Sequence, residues 1–333
     1  MTGRWWIRWV VGVVLLFSLE SGARAEPQQD FENWLSGFKA DALEKGITQT
    51  TLDTALADLQ PIDRVIELDR RQPEFTMTFP QYLSHVVNPG RIKTGRQHLA
   101  RQKKLLAEVS KQYGVPAAVV VAMWAIESDF GRLTGGFQVV PALATLAYDG
   151  RRSQYFRGEL LNALRMVDGG VPAARMRGSW AGAMGQCQFM PSTYLKFAKS
   201  WDGKDRPDIW SNEADVFSSA ANYLSQIGWN SKQSWGTAVK LPKHGMATAL
   251  FGLEHKRSLR EWNKLGLRRV NGKPLPGGDL QASLIRAETG KGNDIGQGQP
   301  YLVFDNFRVF MKWNRSVFFA LAAGTLADRL VSK

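Results

Sequence analysis

The sequence predicts a mainly α protein of the α+β class: a helical core, a helical region ahead of it, and a small mixed subdomain inserted before a closing C-terminal helix. Three observations carry this. Apolar residues recur at helical spacing through residues 26–115 and again through about 307–331. The segment from Pro116 to Asp129 is apolar on nearly every side, the pattern of a buried helix. Between about 235 and 300 the periodicity loosens, glycine becomes frequent, and short strand signals appear.

The first 25 residues stand apart from the rest. Arg4 and Arg8 precede an apolar run from Trp9 to Phe17, and Ala23-Arg24-Ala25 offers small residues to a signal peptidase, so a secretory leader ending at Ala25 is expected. The run is short for a bilayer span, and no cysteine lies near it to be acylated. Phe31, Trp34, Leu35 and Phe38 then mark one helical face, and Leu99, Leu105, Leu106 and Val109 a later one. Gln72 to Phe75, running on to Pro80, reads as an extended stretch between them. Gly114 occupies a helix-stop position, and Pro116 can open the next helix, because the first turn tolerates proline. That helix ends in Glu127-Ser128-Asp129, which brings a carboxylate to the end of a core element.

Further helices are expected at Tyr155–Val167, Pro191–Ser200 and Ala214–Ile227. Thr237–Leu241 and Tyr301–Phe304 read as strands, with a short helix near Ser258–Asn263. A single last helix is expected from about Phe307 to Leu330, with Val309, Phe310, Trp313, Val317, Phe318 and Leu321 on its apolar side. Residues 26–333 are thus read as one domain with its core at about 85–230, a mixed subdomain at about 235–300 and a closing helix at about 307–331. No internal repeat or low-complexity stretch is visible.

The 333 residues include 43 Lys or Arg against 30 Asp or Glu, a formal charge of +13. A basic exported chain suits an acidic polymer outside the cytoplasm. Nucleic acid is set aside as a partner, because no helix-turn-helix, RNA-recognition or zinc-finger pattern accompanies the charge. Cys187 is the only cysteine, so no internal disulfide can form and the core must carry stability.

Three blocks carry chemistry. The first is Ala125-Ile126-Glu127-Ser128-Asp129-Phe130-Gly131. A carboxyl on a buried helix loses water, which raises its pKa and suits a general acid; an interior ion pair is the alternative. The second runs from Gly178 to Ser192 and is rich in glycine and alanine, so backbone can approach a ligand closely; a tight packing turn is the alternative. The third is Ala220-Ala221-Asn222-Tyr223-Leu224, whose tyrosine alone would read as core.

Together these blocks resemble the signature of the lytic murein transglycosylases, in particular the B-type family with a lysozyme-like catalytic core. Gly182-Ala183-Met184-Gly185 through Gln188-Phe189-Met190-Pro191-Ser192 is complete, and the resemblance extends to Asp305-Asn306-Phe307 and Trp313-Asn314-Arg315-Ser316. It implies that Glu127 is the catalytic acid/base. Ser179 and Gln188 would hold the sugar beside the cut bond, Phe189 would form a stacking wall, Tyr223 would position Glu127, and Asn314 would add a polar contact. Trp313 stands where some members carry tyrosine. Some members also carry an acidic calcium loop; here Lys204 and Arg206 fall at alternating positions of residues 200–208, so an ordinary surface loop is expected, with no metal and no cofactor.

The reaction the resemblance implies needs one carboxylate. Glu127 would protonate the oxygen leaving the β-1,4 bond between N-acetylmuramic acid and N-acetylglucosamine, and then deprotonate the 6-hydroxyl of the same muramyl sugar, which closes a 1,6-anhydro ring. Asp129, two residues on, would point elsewhere on a continued helix. The expected partner is the peptidoglycan glycan strand, met in the periplasm by a monomer, with a loose association with the membrane, if the leader stays, or with cell-wall machinery left open. A lysozyme-like hydrolase and a non-catalytic wall-binding protein are the alternatives.

Overall fold

Six helices precede the core helix: α1 (Ala25–Glu44), α2 (Gln49–Ala55), α3 (Asp63–Arg70), α4 (Phe79–Val86), α5 (Pro89–Arg101) and α6 (Lys103–Tyr113). The computed structural model describes residues 25–71, 77–203, 206–287 and 298–332. The expected leader, apart from Ala25, and residues 72–76 of the stretch expected to be extended lie outside the described residues; the expected end of that stretch at Pro80 is instead in the first turn of α4, which begins at Phe79. Of the residues that set the helical spacing, Phe31, Leu35 and Phe38 of α1 and Leu106 and Val109 of α6 are buried, and Trp34, Leu99 and Leu105 pack half-buried against the same core. Asn88 caps α5 by accepting a hydrogen bond from the Arg91 N–H, with Pro89 in the first turn. Gly114, at φ +70°, ends α6 in the left-handed region that glycine enters without steric cost.

Helix α7 (Ala117–Ser128) follows Pro116 and buries nine of its 12 residues. After it come β1 (Phe137–Gln138), α8 (Val139–Tyr148), α9 (Ser153–Asp168), β2 (Arg177–Gly178), α10 (Pro191–Phe197) and α11 (Glu213–Gln226). Helix α8 is absent from the sequence expectation. Its Val-Val start and Pro141 argue against a helix by propensity, yet a first-turn proline removes only an N–H that has no helical partner.

The mixed subdomain holds β3 (Gly236–Lys240), β4 (Lys256–Ser258), α12 (Leu259–Lys264), β5 (Arg268–Arg269), β6 (Gln281–Arg286) and β7 (Pro300–Val303). The strands form one antiparallel sheet in the order β4-β6-β7-β3-β5. Its own small core gathers Val239, Leu259, Trp262, Leu267, Leu284 and Leu302. Ser258 starts α12 with a reciprocal box, exchanging hydrogen bonds with Glu261. Strand β6 was not foreseen, because Ala282 to Ile285 are all buried and show no alternation.

The C-terminal region corrects an expectation. The single helix expected at about 307–331 is two helices, α13 (Asp305–Trp313) and α14 (Val317–Val331). Asn314 leaves the helix in extended conformation and accepts from the Ser316 N–H, while Ser316 caps α14 by accepting from the Phe319 N–H. Helix α14 packs along α7, with α5, α6 and α11 as the other neighbours of that helix. Among the described residues, no single helix is long and apolar enough to cross a membrane.

Candidate active site

Glu127 lies in the last turn of α7. Its Oε1 accepts a hydrogen bond from the Trp313 indole N–H at 2.7 Å, across 186 residues of chain. Behind it is a cavity of about 10 Å³, room for roughly one water, lined by Val120, Met123, Cys187, Val216 and Ala220 among others. The residue keeps partial exposure, while its carboxyl is enclosed by protein. Burial pushes its pKa up to about 8, against the opposing pull of the indole N–H. No arginine, lysine or histidine lines that cavity. Glu127 is therefore poised as a neutral acid near pH 7, which an interior ion pair would prevent.

Asp129 takes a different part. It ends α7 at φ +51° and forms ion pairs with Arg132 and, at 3.5 Å, with Arg91. The helix does not continue through it, so the two arginines, rather than a helical offset from Glu127, hold its carboxylate.

The glycine-rich block folds as a small knot beneath α7. Gly178 pairs with Phe137 across β1 and β2, and Met184 bridges both Gly178 and Phe189. A Cβ on Gly178 would overlap the Ala183 carbonyl, so only glycine permits this close approach. Two buried bonds fasten the knot to the helix carrying Glu127. The Ser128 hydroxyl donates to the Gln186 carbonyl at 2.8 Å, and the Trp124 indole donates to Gln186 Oε1 at 2.8 Å.

Each expected site residue now has a position. The Ser179 hydroxyl accepts from the Ala183 N–H at 3.1 Å, which leaves its proton to donate. Gln188 sits at φ +50° and spends its Nε2 on the carbonyls of Gly185 and Thr134, so it offers a ligand an acceptor. Asn314 is exposed at the α13–α14 break with its Oδ1 engaged by Ser316, so it offers N–H donors. Phe189 is only 2 % exposed. It packs edge-on to Tyr223 at 5.5 Å and against Trp313 at 5.5 Å, so it backs the expected stacking wall rather than facing it. Tyr223 is half-buried and packs at a tilt on Trp313, ring centroids 4.8 Å apart. The hydrogen bond to Glu127 belongs to Trp313, so Tyr223 reaches the carboxyl through that ring.

Sequence reasoning thus put Trp313 on an apolar face and missed its polar edge. Gln186 was also missed, though its place inside the glycine-rich block was a signal. The thiol of Cys187, which lines the same cavity, is pushed up by burial and stays protonated.

In what is described of the loop at 200–208, the carboxylates around it are engaged by protein groups. Asp215 closes it by accepting from the backbone N–H of Trp201 and of Asp208, and Asp208 is engaged by Trp210, Ser211 and Arg175. Lys204 and Asp205 lie outside the described residues.

Residues 30–328 match the family model described as the Transglycosylase SLT domain. The chain is 30% identical over 295 residues to the membrane-bound lytic murein transglycosylase B of Escherichia coli strain K12, spanning 85% of this chain and 78% of that protein. It is similar to SltB3 of Pseudomonas aeruginosa in complex with NAG-anhNAM-pentapeptide, at TM-score 0.85 and 43% identity over 91% of this chain and 80% of that one. Slt35 of Escherichia coli in complex with bulgecin A is similar at TM-score 0.74 and 27% identity, over 91% of this chain and 93% of that one. The lysozyme-like helical core expected from the sequence is the fold of these relatives. A match that runs from the first long helix to the last one leaves one assignment: the chain belongs to the SLT-domain lytic murein transglycosylases and is an enzyme of that family.

Proposed function

We propose that the enzyme cleaves peptidoglycan strands between N-acetylmuramic acid and N-acetylglucosamine with Glu127 as its only acid/base, leaving a 1,6-anhydromuramyl end. The observation that carries this reading is a carboxyl that is buried with no cationic partner among the described residues and pushed up to about 8. Such a group is protonated near neutral pH and can protonate the leaving oxygen. As the C1–O bond breaks, the electron pair goes to that oxygen and the substrate N-acetyl carbonyl stabilises C1 from below. Glu127, now an anion, takes the proton of the muramyl 6-hydroxyl, whose oxygen bonds to C1. No water is consumed.

A two-carboxylate scheme would need a second acid within reach. Asp129 is held by Arg91 and Arg132, which supports the one-carboxylate scheme. Ser179, Gln188 and Asn314 offer a donor, an acceptor and a donor for sugar hydroxyl and acetamido groups, and Tyr223 over Phe189 gives the aromatic wall. SltB3 in complex with NAG-anhNAM-pentapeptide, a fragment bearing an anhydro sugar, supports the ring-closing outcome here. The assigned substrate lies in the periplasm, where the leader read at residues 1–25 would send the chain. The scheme needs no second copy, no metal and no cofactor.

The test is the product. Digested sacculi analysed by mass spectrometry should yield muropeptides lighter by one water than lysozyme products. Reducing-end products alone would make the enzyme a hydrolase.

A further inference from the structure

We infer that Trp313 is a positioning residue that decides which oxygen of Glu127 carries the working proton. The inference rests on the acid/base role proposed for Glu127. The bond runs from Trp313 Nε1–H to Glu127 Oε1 at 2.7 Å, and among the described residues it is the one hydrogen bond to that carboxyl. An indole N–H can only donate, so Oε1 must accept in both protonation states. A neutral carboxyl has one carbonyl-like oxygen and one hydroxyl oxygen, and the first is the better acceptor. The bond therefore selects the tautomer with its O–H on Oε2.

The donor is held in place by packing. Trp313 is the last residue of α13, and the chain leaves the helix at Asn314. Its ring packs at a tilt on Tyr223 at 4.8 Å and on Phe189 at 5.5 Å, and those two rings meet each other edge-on at 5.5 Å. Tyr223 is braced by Phe197 at 4.5 Å, and Phe189 by paired backbone bonds with Met184. The indole N–H is thus oriented before substrate arrives, the condition for an electrostatic contribution to a rate.

Among the described residues lining the cavity, no other group donates a hydrogen bond to the carboxyl. Helix α7 brings Val120, Met123 and Trp124 to the cavity, and α11 brings Val216, Phe217 and Ala220. Gln186 has both ends of its amide engaged, by Trp124 and by the Trp210 carbonyl. Cys187 is the one other titratable group in that lining, and its thiol donates to the Val216 carbonyl at 3.4 Å.

The consequence is a single-oxygen shuttle. The proton leaves Oε2 for the bridging oxygen as the C1–O bond breaks, and the 6-hydroxyl proton returns to Oε2 as O6 bonds to C1. Oε1 stays on the indole throughout. That bond strengthens when Glu127 is charged, so it stabilises the stage between the two transfers.

The test separates the donor from the ring. Trp313 is replaced by β-(3-benzothienyl)alanine, which keeps the bicyclic shape and puts sulfur where the N–H was, and separately by Phe and Tyr. Turnover on glycan strands is followed over about pH 5 to 10, and the Glu127 carbonyl stretch is read by infrared difference against Glu127→Gln. We expect the isostere to keep its Tm and KM while kcat falls about 10- to 100-fold, the value of a hydrogen bond to a charged group. Its alkaline limb should move to higher pH, its carbonyl stretch should rise, and Trp313→Tyr should recover more activity than Trp313→Phe. An isostere with wild-type kcat, an unmoved limb and an unshifted stretch would make the indole a packing element only. If that occurs while Glu127→Gln is inactive, this inference alone falls; if Glu127→Gln turns over normally, the acid/base reading falls with it.

Discussion

Glu127 stays neutral because of what surrounds it: apolar walls on one side and a neutral donor on the other. Replacing it with glutamine keeps the shape and an acceptor for Trp313 but removes the acid. Turnover on sacculi should fall about 100- to 10,000-fold, the usual worth of acid/base help, with an unchanged circular dichroism spectrum. The same substitution has a signature in stability. Folding raises the carboxyl from its ordinary 4.5 to about 8, so the native state binds the proton more tightly than the unfolded chain does. Wild-type stability from this group is complete below about 4.5 and is lost as pH rises through about 8. Glu127→Gln carries no such loss, so calorimetry should find its Tm rising relative to wild type across that window and level above it. A constant difference across pH would mean that the carboxyl is not buried in solution. The buried carboxyl itself was legible in the sequence, because a helix apolar all round ends in one glutamate; on the residues alone an interior ion pair stayed open, and the acid/base role came from the family resemblance. Its partner was not, because Trp313 meets it across 186 residues and nothing local marks a tryptophan as a donor.

At the scale of elements, the break between α13 and α14 sets the site. Phe310, Trp313, Val317 and Leu321 keep helical spacing straight across it, which is why periodicity reads one continuous helix over about 307–331. The break is written in shorter-range chemistry, the side chains of Asn314 and Ser316 competing for backbone N–H groups. The helices flanked by plain stop and start residues, Gly114 and Pro116, were legible for the opposite reason: glycine permits the left-handed turn that ends a helix, and proline fixes a φ that suits the start of one. Ser316→Ala removes the cap of α14 and should cost about 1 kcal/mol, read as a lower Tm. Because the same turn carries Trp313, kcat should fall as well, although Ser316 touches neither Glu127 nor the aromatic cluster. A lower Tm with unchanged kcat would show that the rings alone hold the indole.

At the scale of the whole molecule, charge is distributed unevenly. Residues 89–113 carry seven Lys or Arg and a single acid, Glu108. Residues 236–287 carry ten against three, Glu254, Glu261 and Asp279. Some of these cations are committed: Arg91 pairs with Asp129, and Arg101 with Glu213. Lys93, Lys104, Lys243 and Lys273 stand in no ion pair among the described residues. A glycan strand with peptide stems offers carboxylates at many points, and a basic surface gathers such a polymer from a distance before any sugar enters the site. That attraction is exposed, so salt should weaken it: the screening length drops from about 10 Å at 0.1 M to about 3 Å at 1 M. Binding of the inactive Glu127→Gln enzyme to sacculi should therefore fall about tenfold or more over that range, mainly through slower association. The contacts proposed for Ser179, Gln188 and Asn314 with the sugar are short-ranged and would survive the same salt. A binding curve indifferent to salt would assign the affinity to the groove and leave the basic surfaces without a part in capturing the wall.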